Sequence, residues 1–188
     1  FLLATLRHLQ LPPSLIHFIE ALYTRNSCYI MLGGARHEGF GISAGIRQGC
    51  PLSPLLFAIV TDLLLRRLQR LLPDALIRAY ADDLAVVHRD ERRLVSLCSR
   101  IFREYAVFSG LRLNLPKTVL VPLHRNWNER HAILVCELAP DWAGISIRDM
   151  AKYLGFYLGP GRGEESWRKP FKSFITRASS WSATSGGL

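Results

Sequence analysis

The chain lacks any framework for a structural metal or a disulfide scaffold. Its four cysteines, Cys28, Cys50, Cys98 and Cys136, form no C-x-x-C pair, and its six histidines show no H-x-x-x-H spacing. A zinc site of the usual pattern is excluded, and a reducing compartment fits best. Long hydrophobic runs are missing as well: the longest, Leu55 to Leu65, is interrupted by Thr61 and Asp62, too short and too polar to span a bilayer. No membrane partner is expected. No charged-then-apolar leader, internal repeat, low-complexity tract or dividing linker is visible. The first residue is Phe1 rather than Met, so the chain is read as a piece of a longer protein or as a processed one. Lysine is scarce too, since 20 of the 24 basic residues are arginine.

What is present is a chain of 188 residues, 49% of them hydrophobic. At this length a compact chain buries roughly 70% of the surface its unfolded form exposes, so one domain with a real core is expected and disorder is not. Lys and Arg number 24 against 15 acidic residues, a net charge of +9. Guanidinium groups pair with phosphate bidentately and displace condensed counterions, which favours a polyanionic partner. A GC-rich coding sequence would produce the same arginine excess, so charge alone does not choose.

Local patterns give the order of elements. Phe1 to Leu9 is helix-compatible, and Pro12-Pro13-Ser14 opens a second helix with Leu15, Phe18, Ile19, Leu22 and Tyr23 at helical spacing. Tyr29 to Leu32 and Glu38 to Ile42 are β-prone runs around Gly33-Gly34-Ala35, the composition of a hairpin. A Gly- and Pro-rich stretch from Gly45 to Pro54 follows. Ser53 as N-cap with Pro54 at the first helical position then starts a helix with a wide apolar face through Leu55, Leu56, Ile59, Val60, Leu63, Leu64 and Leu68. Leu76 to Tyr80 and Leu84 to Val87 flank Ala81-Asp82-Asp83 as a second hairpin with both acids at its tip. Arg92 to Ser109 is amphipathic, with Leu94, Leu97, Cys98, Ile101, Tyr105 and Phe108 on one face and Gly110 placed to end it. Strands are expected at Thr118 to Leu123 and Met150 to Leu158, whereas Asn126 to Arg148 gives little signal. Glu164 to Trp181 carries Trp167, Phe171, Phe174, Ile175, Ala178 and Trp181 at helical spacing, with Pro170 near its first turn. Hairpins rather than βαβ crossovers point to an α+β fold, an antiparallel sheet with helices packed on one face.

Two features bear on chemistry. Adjacent carboxylates at a hairpin tip repel unless a divalent cation neutralises them, and phosphoryl transfer by paired metals needs such ligands. Asp is also an ordinary turn residue, and taken singly Ala81-Asp82-Asp83 is most simply that. The loop before the buried helix carries Gly45, Gly49 and Pro51 as shapers of exposed backbone, and Arg47 and Gln48 as donors able to meet a base pair or a phosphate. Singly, it could equally be a plain helix lead-in. Together the two are far more specific.

Tyr80-Ala81-Asp82-Asp83 resembles the Y/F-x-D-D box of reverse transcriptases. Ile46-Arg47-Gln48-Gly49-Cys50-Pro51-Leu52-Ser53-Pro54-Leu55-Leu56-Phe57 resembles the R-Q-G-C-P-L-S-P-L-L-F box of non-LTR, LINE-like retrotransposon enzymes. Ser109 to Thr118 is similar to the family's S-G-L-x-x-N-x-x-K-T segment, and Lys152-Tyr153-Leu154-Gly155 to its Y-L-G turn. The resemblance runs from about residue 1 to 181, and its two central boxes are the most specific.

It implies a polymerase right-hand palm over residues 1–163 and the beginning of a thumb helix over 164–188. It also implies an RNA-directed DNA polymerase using an RNA template, a DNA primer and deoxynucleoside triphosphates, with two Mg²⁺ ions, or Mn²⁺, as cofactors. Asp82 matches the metal-binding aspartate of the palm and Asp83 its neighbour, which contributes less. Gln48 and Gly49 match the loop lining the incoming nucleotide and template, with Arg47 as a phosphate or template contact beside them. Lys117 matches a lysine close to the triphosphate, placed to protonate the departing pyrophosphate. Tyr153, Leu154 and Gly155 match the primer contact. A surface lysine and a core-facing apolar stripe are the plainer readings of Lys117 and of the last helix.

The family's first catalytic aspartate belongs to a strand preceding the helix that Phe1 to Leu9 would continue, and this chain is expected to start after it, leaving the fragment alone inactive. Asp62, Asp74 and Asp90 match no catalytic position. Group II intron proteins, which also assist splicing, usually carry P-Q-G where this chain has Arg47-Gln48-Gly49, which speaks against that alternative. A degenerate relic that binds nucleic acid without copying it is the other. A nuclear location is what the resemblance implies, though no dense basic targeting run is visible.

Overall fold

The computed structural model describes residues 1–188 except 43, 44, 48, 125–129 and 186–188. The chain divides into two compact units, one formed by Phe1–Pro73 with Arg103–Leu111 and the other by Asp74–Phe102 with Arg112–Leu188.

The first unit opens with α1 (Leu2–His8) and α2 (Pro13–Tyr23), where proline at the start of α2 sits where a missing N–H costs nothing. The hairpin β1 (Asn26–Leu32) and β2 (Ala35–Ile42) follows, antiparallel, turning at Gly33-Gly34. Its register slips between Ser27 and Tyr29, and Gly39 faces that bulge. A Cβ at Gly39 would collide with the Cys28 carbonyl, so the residue is required for space. Helix α3 (Ser53–Leu71) buries Ser53, Leu56, Val60, Leu64 and Leu68, a stripe narrower than the expected face, with Leu55 left exposed. Ser53 was expected to cap this helix, but Leu52 takes the N-cap position without a side-chain cap bond. Ser53 instead lies within the first turn, its hydroxyl 3.3 Å from that of Tyr23. Leu6, Ile16, Ile19 and Leu56 form the core of this unit. Tyr105 closes one side: its hydroxyl donates to the Val60 carbonyl at 2.9 Å and its ring meets Phe1 edge-on at 5.8 Å. Burial raises the Tyr105 phenol above its ordinary range.

The second unit contains β3 (Leu76–Tyr80) and β4 (Asp83–Val87), an antiparallel hairpin, and the first part of the next helix, whose residues from Arg103 belong to the first unit. Helix α4 (Glu91–Ser109) begins on a cap from Asp90, whose carboxylate accepts from the Arg93 N–H at 3.0 Å, and ends at Gly110 with φ +73°. It buries Val95, Cys98, Ser99 and Ile101; Phe108, expected on that face, is exposed. Apolar burial pushes the Cys98 thiol up to about 12. The expected strand Thr118 to Leu123 shortens to β5 (Val119–Leu120). Helix α5 (Arg130–Leu138), without a clear sequence signal, leads to β6 (Ser146–Ile147), which pairs with β5 in parallel. This is a crossover of the kind the hairpin-rich sequence argued against. His131 at the start of α5 is buried and its Nδ1 meets the Glu91 carboxylate at 2.7 Å, joining the first turns of α5 and α4. The run Met150 to Leu158 is a hairpin, β7 (Ala151–Tyr153) with β8 (Phe156–Leu158), rather than one strand. Helix α6 (Glu165–Ser185) ends the described chain, with Trp167, Phe171, Phe174 and Trp181 exposed.

The α+β class holds as a mixture of helices with small sheets. The described strands form four two-stranded ladders, three antiparallel and one parallel, rather than one continuous antiparallel sheet. Strands of two or three residues at β5 to β8 are too short to extend a ladder far.

Candidate functional site

The Gly-rich loop of the first unit is held from both sides. Ile46 and Leu52 pack against the Leu6, Ile16, Ile19 and Leu56 core, so the residues between them are tethered at each end by apolar burial. The Arg47 guanidinium donates to the side-chain carbonyl of Asn26, the first residue of β1. Gly49 has φ +82° with open space around it, a backbone that only glycine adopts cheaply. The Leu52 backbone N–H, directed at the Cys50 sulfur, holds that thiol below its usual range. Gln48 lies outside the described residues.

The paired aspartates sit on a tighter structure than expected. Tyr80 pairs with Asp83, so the loop of the hairpin is the two residues Ala81-Asp82, and Asp83 opens β4 rather than lying in the turn. Ala81 has φ +49°, the left-handed backbone that two-residue hairpin turns demand at their first position. An L-residue with a Cβ is strained there, by roughly 1–2 kcal/mol. Both carboxylates are exposed, and among the described residues neither has a hydrogen-bond or ion-pair partner. Hard carboxylate oxygens suit Mg²⁺, which is commonly held by one or two carboxylates together with substrate phosphates and water. The donor chemistry therefore fits. No group of three or more His, Cys, Asp or Glu side chains able to hold a metal occurs among the described residues. Asp62 is engaged with Arg66 at 2.6 Å and Asp90 with its helix cap, both ordinary structural roles.

Lys117 ends a 3₁₀ turn, Leu115–Lys117, fixed by Asn114, whose side chain accepts from the Lys117 N–H at 3.3 Å. Its ammonium is exposed. In the β7–β8 hairpin the turn is Leu154-Gly155 with φ +47° and +92°, and Tyr153 pairs with Phe156. The Tyr157 N–H donates to Ser166 Oγ at 2.7 Å, fastening this hairpin to the first turn of α6. Between them runs an open groove of about 490 Å³, to which Lys152, Lys169, Lys172 and Arg168 contribute cations and Glu165 the one carboxylate, paired with Arg168 at 2.9 Å. Lys169 and Lys172 escaped the sequence reading, which followed the aromatic stripe of this helix. The signal was available, since its polar positions recur on the opposite face at the same period.

The second unit thus holds Asp82, Asp83, Lys117 and the Tyr153-Leu154-Gly155 turn, and the first unit holds Arg47 and Gly49. Short hairpins, an adjacent pair of exposed carboxylates and a groove lined by Lys152, Arg168, Lys169 and Lys172 occur together in the second unit. Over residues 1–158 the chain matches the model of the family described as "Reverse transcriptase (RNA-dependent DNA polymerase)", and it belongs to that family. It is 28% identical over 178 residues to the "Transposon TX1 uncharacterized 149 kDa protein" of Xenopus laevis, covering 84% of this chain and 12% of that protein. It is 26% identical over 161 residues to the "Retrovirus-related Pol polyprotein from type-2 retrotransposable element R2DM" of Drosophila melanogaster, covering 80% of this chain and 15% of that one. A 79-residue stretch is 47% identical to the "Retrotransposable element SLACS 132 kDa protein" of Trypanosoma brucei gambiense, covering 42% of this chain and 6% of the relative. The chain therefore spans a small part of these relatives. Their kind agrees with the non-LTR retrotransposon type read from the R-Q-G-C-P-L-S-P box. No described helix is long and apolar enough to cross a membrane.

Proposed function

We propose that the chain is part of an RNA-directed DNA polymerase that adds deoxynucleotides to a primer 3′-hydroxyl on an RNA template by two-metal phosphoryl transfer. The observation carrying this reading is the adjacent pair of exposed carboxylates, Asp82 in the two-residue turn and Asp83 at the start of β4, with no side-chain partner among the described residues, in a chain of the reverse transcriptase family. Residues 1–163 are read as palm and 164–188 as the start of a thumb. Asp82 is the principal metal ligand and Asp83 the lesser one, with Mg²⁺, or Mn²⁺, supplying Lewis acidity at the reacting phosphate when bound. Arg47, Gln48 and Gly49 border the nucleotide and template. Lys117 offers its ammonium proton to the departing pyrophosphate. Tyr153, Leu154 and Gly155 hold the primer end, and the basic groove behind them meets phosphates of the same duplex. Asp82 and Asp83 supply one side of a two-ion site, so a further carboxylate comes from elsewhere in the parent protein.

The test is incorporation of a labelled deoxynucleotide on an RNA template by the full-length protein with Mg²⁺, compared with its Asp82→Ala variant. Loss of incorporation with template binding retained supports the assignment; full activity in the variant refutes it. Binding of primer–template is expected to weaken steeply as salt rises, with a log–log slope of roughly −0.7 to −0.9 per neutralised phosphate. Salt-independent binding would reduce the net charge of +9 to a matter of solubility.

A further inference from the structure

We infer that Asn26 is a positioning residue for Arg47, holding its guanidinium by a hydrogen bond; this rests on the proposed reading of the loop that carries Arg47 as a nucleotide and template contact. Asn26 begins β1 and pairs with Ile42, the last residue of β2 and the point from which the chain leaves the hairpin toward the loop. Its side-chain carbonyl accepts from Arg47, five residues beyond that point in sequence, and so joins the Arg47 guanidinium to the base of the hairpin. Apolar burial cannot do this alone. Ile46 and Leu52 pack against the core, but neither contact touches the Arg47 side chain. The Asn26 bond holds the Arg47 guanidinium itself.

The chemistry at position 26 is also suited to the task. A neutral amide carbonyl takes one N–H of the guanidinium fork and leaves the remaining donors and the full positive charge for an anionic ligand. An aspartate in its place would accept more strongly but would neutralise the charge. The arrangement holds Arg47 without silencing it. Asn26 has no direct contact with substrate in this account; it works by limiting where the Arg47 guanidinium can go.

The experiment uses the full-length protein with Asn26→Ala, Asn26→Asp, Arg47→Ala and the Asn26→Ala/Arg47→Ala pair. Loss of one charge-assisted hydrogen bond at an exposed site should raise KM for the incoming deoxynucleotide or template roughly three- to tenfold in Asn26→Ala, with kcat nearly kept. Asn26→Asp should restore the loop's order but bind the anionic ligand less well than the native protein. The pair should be no worse than Arg47→Ala alone, because Asn26 has nothing to position once the guanidinium is gone. Hydrogen exchange of the peptide covering residues 45–52 supplies a readout independent of activity, and it should quicken in Asn26→Ala while α3 stays protected. Unchanged exchange in that peptide, or a paired variant that multiplies the two single losses, overturns the inference while leaving the function of the loop standing. An Arg47→Ala protein of native KM overturns the reading of the loop and the positioning role with it. A global fall in protection across α3 would show Asn26 to be a folding residue, also against the inference.

Discussion

The two turns that carry the chain's most specific motifs are held in opposite ways. In the loop before α3, Ile46 and Leu52 pack on the core and Arg47 bonds to Asn26, so these residues are held by contacts with the rest of their unit. The Ala81-Asp82 turn is set by its own five-residue ladder and by a left-handed alanine, and among the described residues the carboxylates of Asp82 and of the neighbouring Asp83 have no hydrogen-bond or ion-pair partner. Folding alone completes the first. The second leaves two like charges adjacent with no cationic partner among the described residues, which is what the proposed divalent cation would relieve.

The sharpest way to test that contrast is Asp82→Ala in the full-length protein, expected to lower the rate of deoxynucleotide incorporation by several orders of magnitude with template binding nearly unchanged. Breaking the other turn should look different. Leu56→Ala removes a fully buried anchor of the loop's core and should cost about 2–5 kcal/mol of stability, read from urea unfolding, with activity falling only as folded protein is lost. Asp83→Ala should reduce incorporation less than Asp82→Ala, because Asp83 begins β4 and stands outside the turn proper. Lys117→Ala should cost less again, about one order of magnitude if the ammonium only assists pyrophosphate departure. Ala81→Gly gives the smallest change and the opposite sign: relief of the left-handed strain should stabilise the protein by about 0.5–1 kcal/mol in thermal unfolding. A fall in activity accompanying that gain would mean that the rigidity of the turn serves the aim of Asp82.

Much of this was legible in the sequence, for reasons that differ by element. The β3–β4 hairpin was readable because two apolar runs flank a turn signal. Its exact loop was not, because Asp is equally at home in a turn and at a strand end, and a positive φ at alanine leaves no trace in composition. Helices α2, α3, α4 and α6 declared themselves by periodicity. The N-cap at Ser53 was misplaced because Ser-Pro reads the same whether the serine caps the helix or sits in its first turn facing Tyr23. Helix α5 went unread because it is short and buries only His131 and Val135, with its entry secured by Glu91, far away in sequence. The same holds for Asn26 and Arg47: a contact between an amide and a guanidinium across a hairpin has no local pattern. The basic groove was missed for a simpler reason, since an aromatic stripe draws attention from the polar face of the same helix.

The parallel pairing of Val119 with Ser146 and of Leu120 with Ile147 also has a consequence in time. The three hairpins close over turns of a few residues and can form within microseconds of collapse, each independently of the others. The β5–β6 pair joins residues 27 apart in sequence, Val119 with Ser146 and Leu120 with Ile147, so a long loop must close before two short strands gain anything from pairing. This pair is therefore expected among the last native contacts to appear during refolding, and the His131–Glu91 contact, which draws α5 toward α4, is positioned to hasten it. Stopped-flow refolding of a His131→Ala variant would show this as a slowed final phase, with the earlier hairpin-forming phases unaltered.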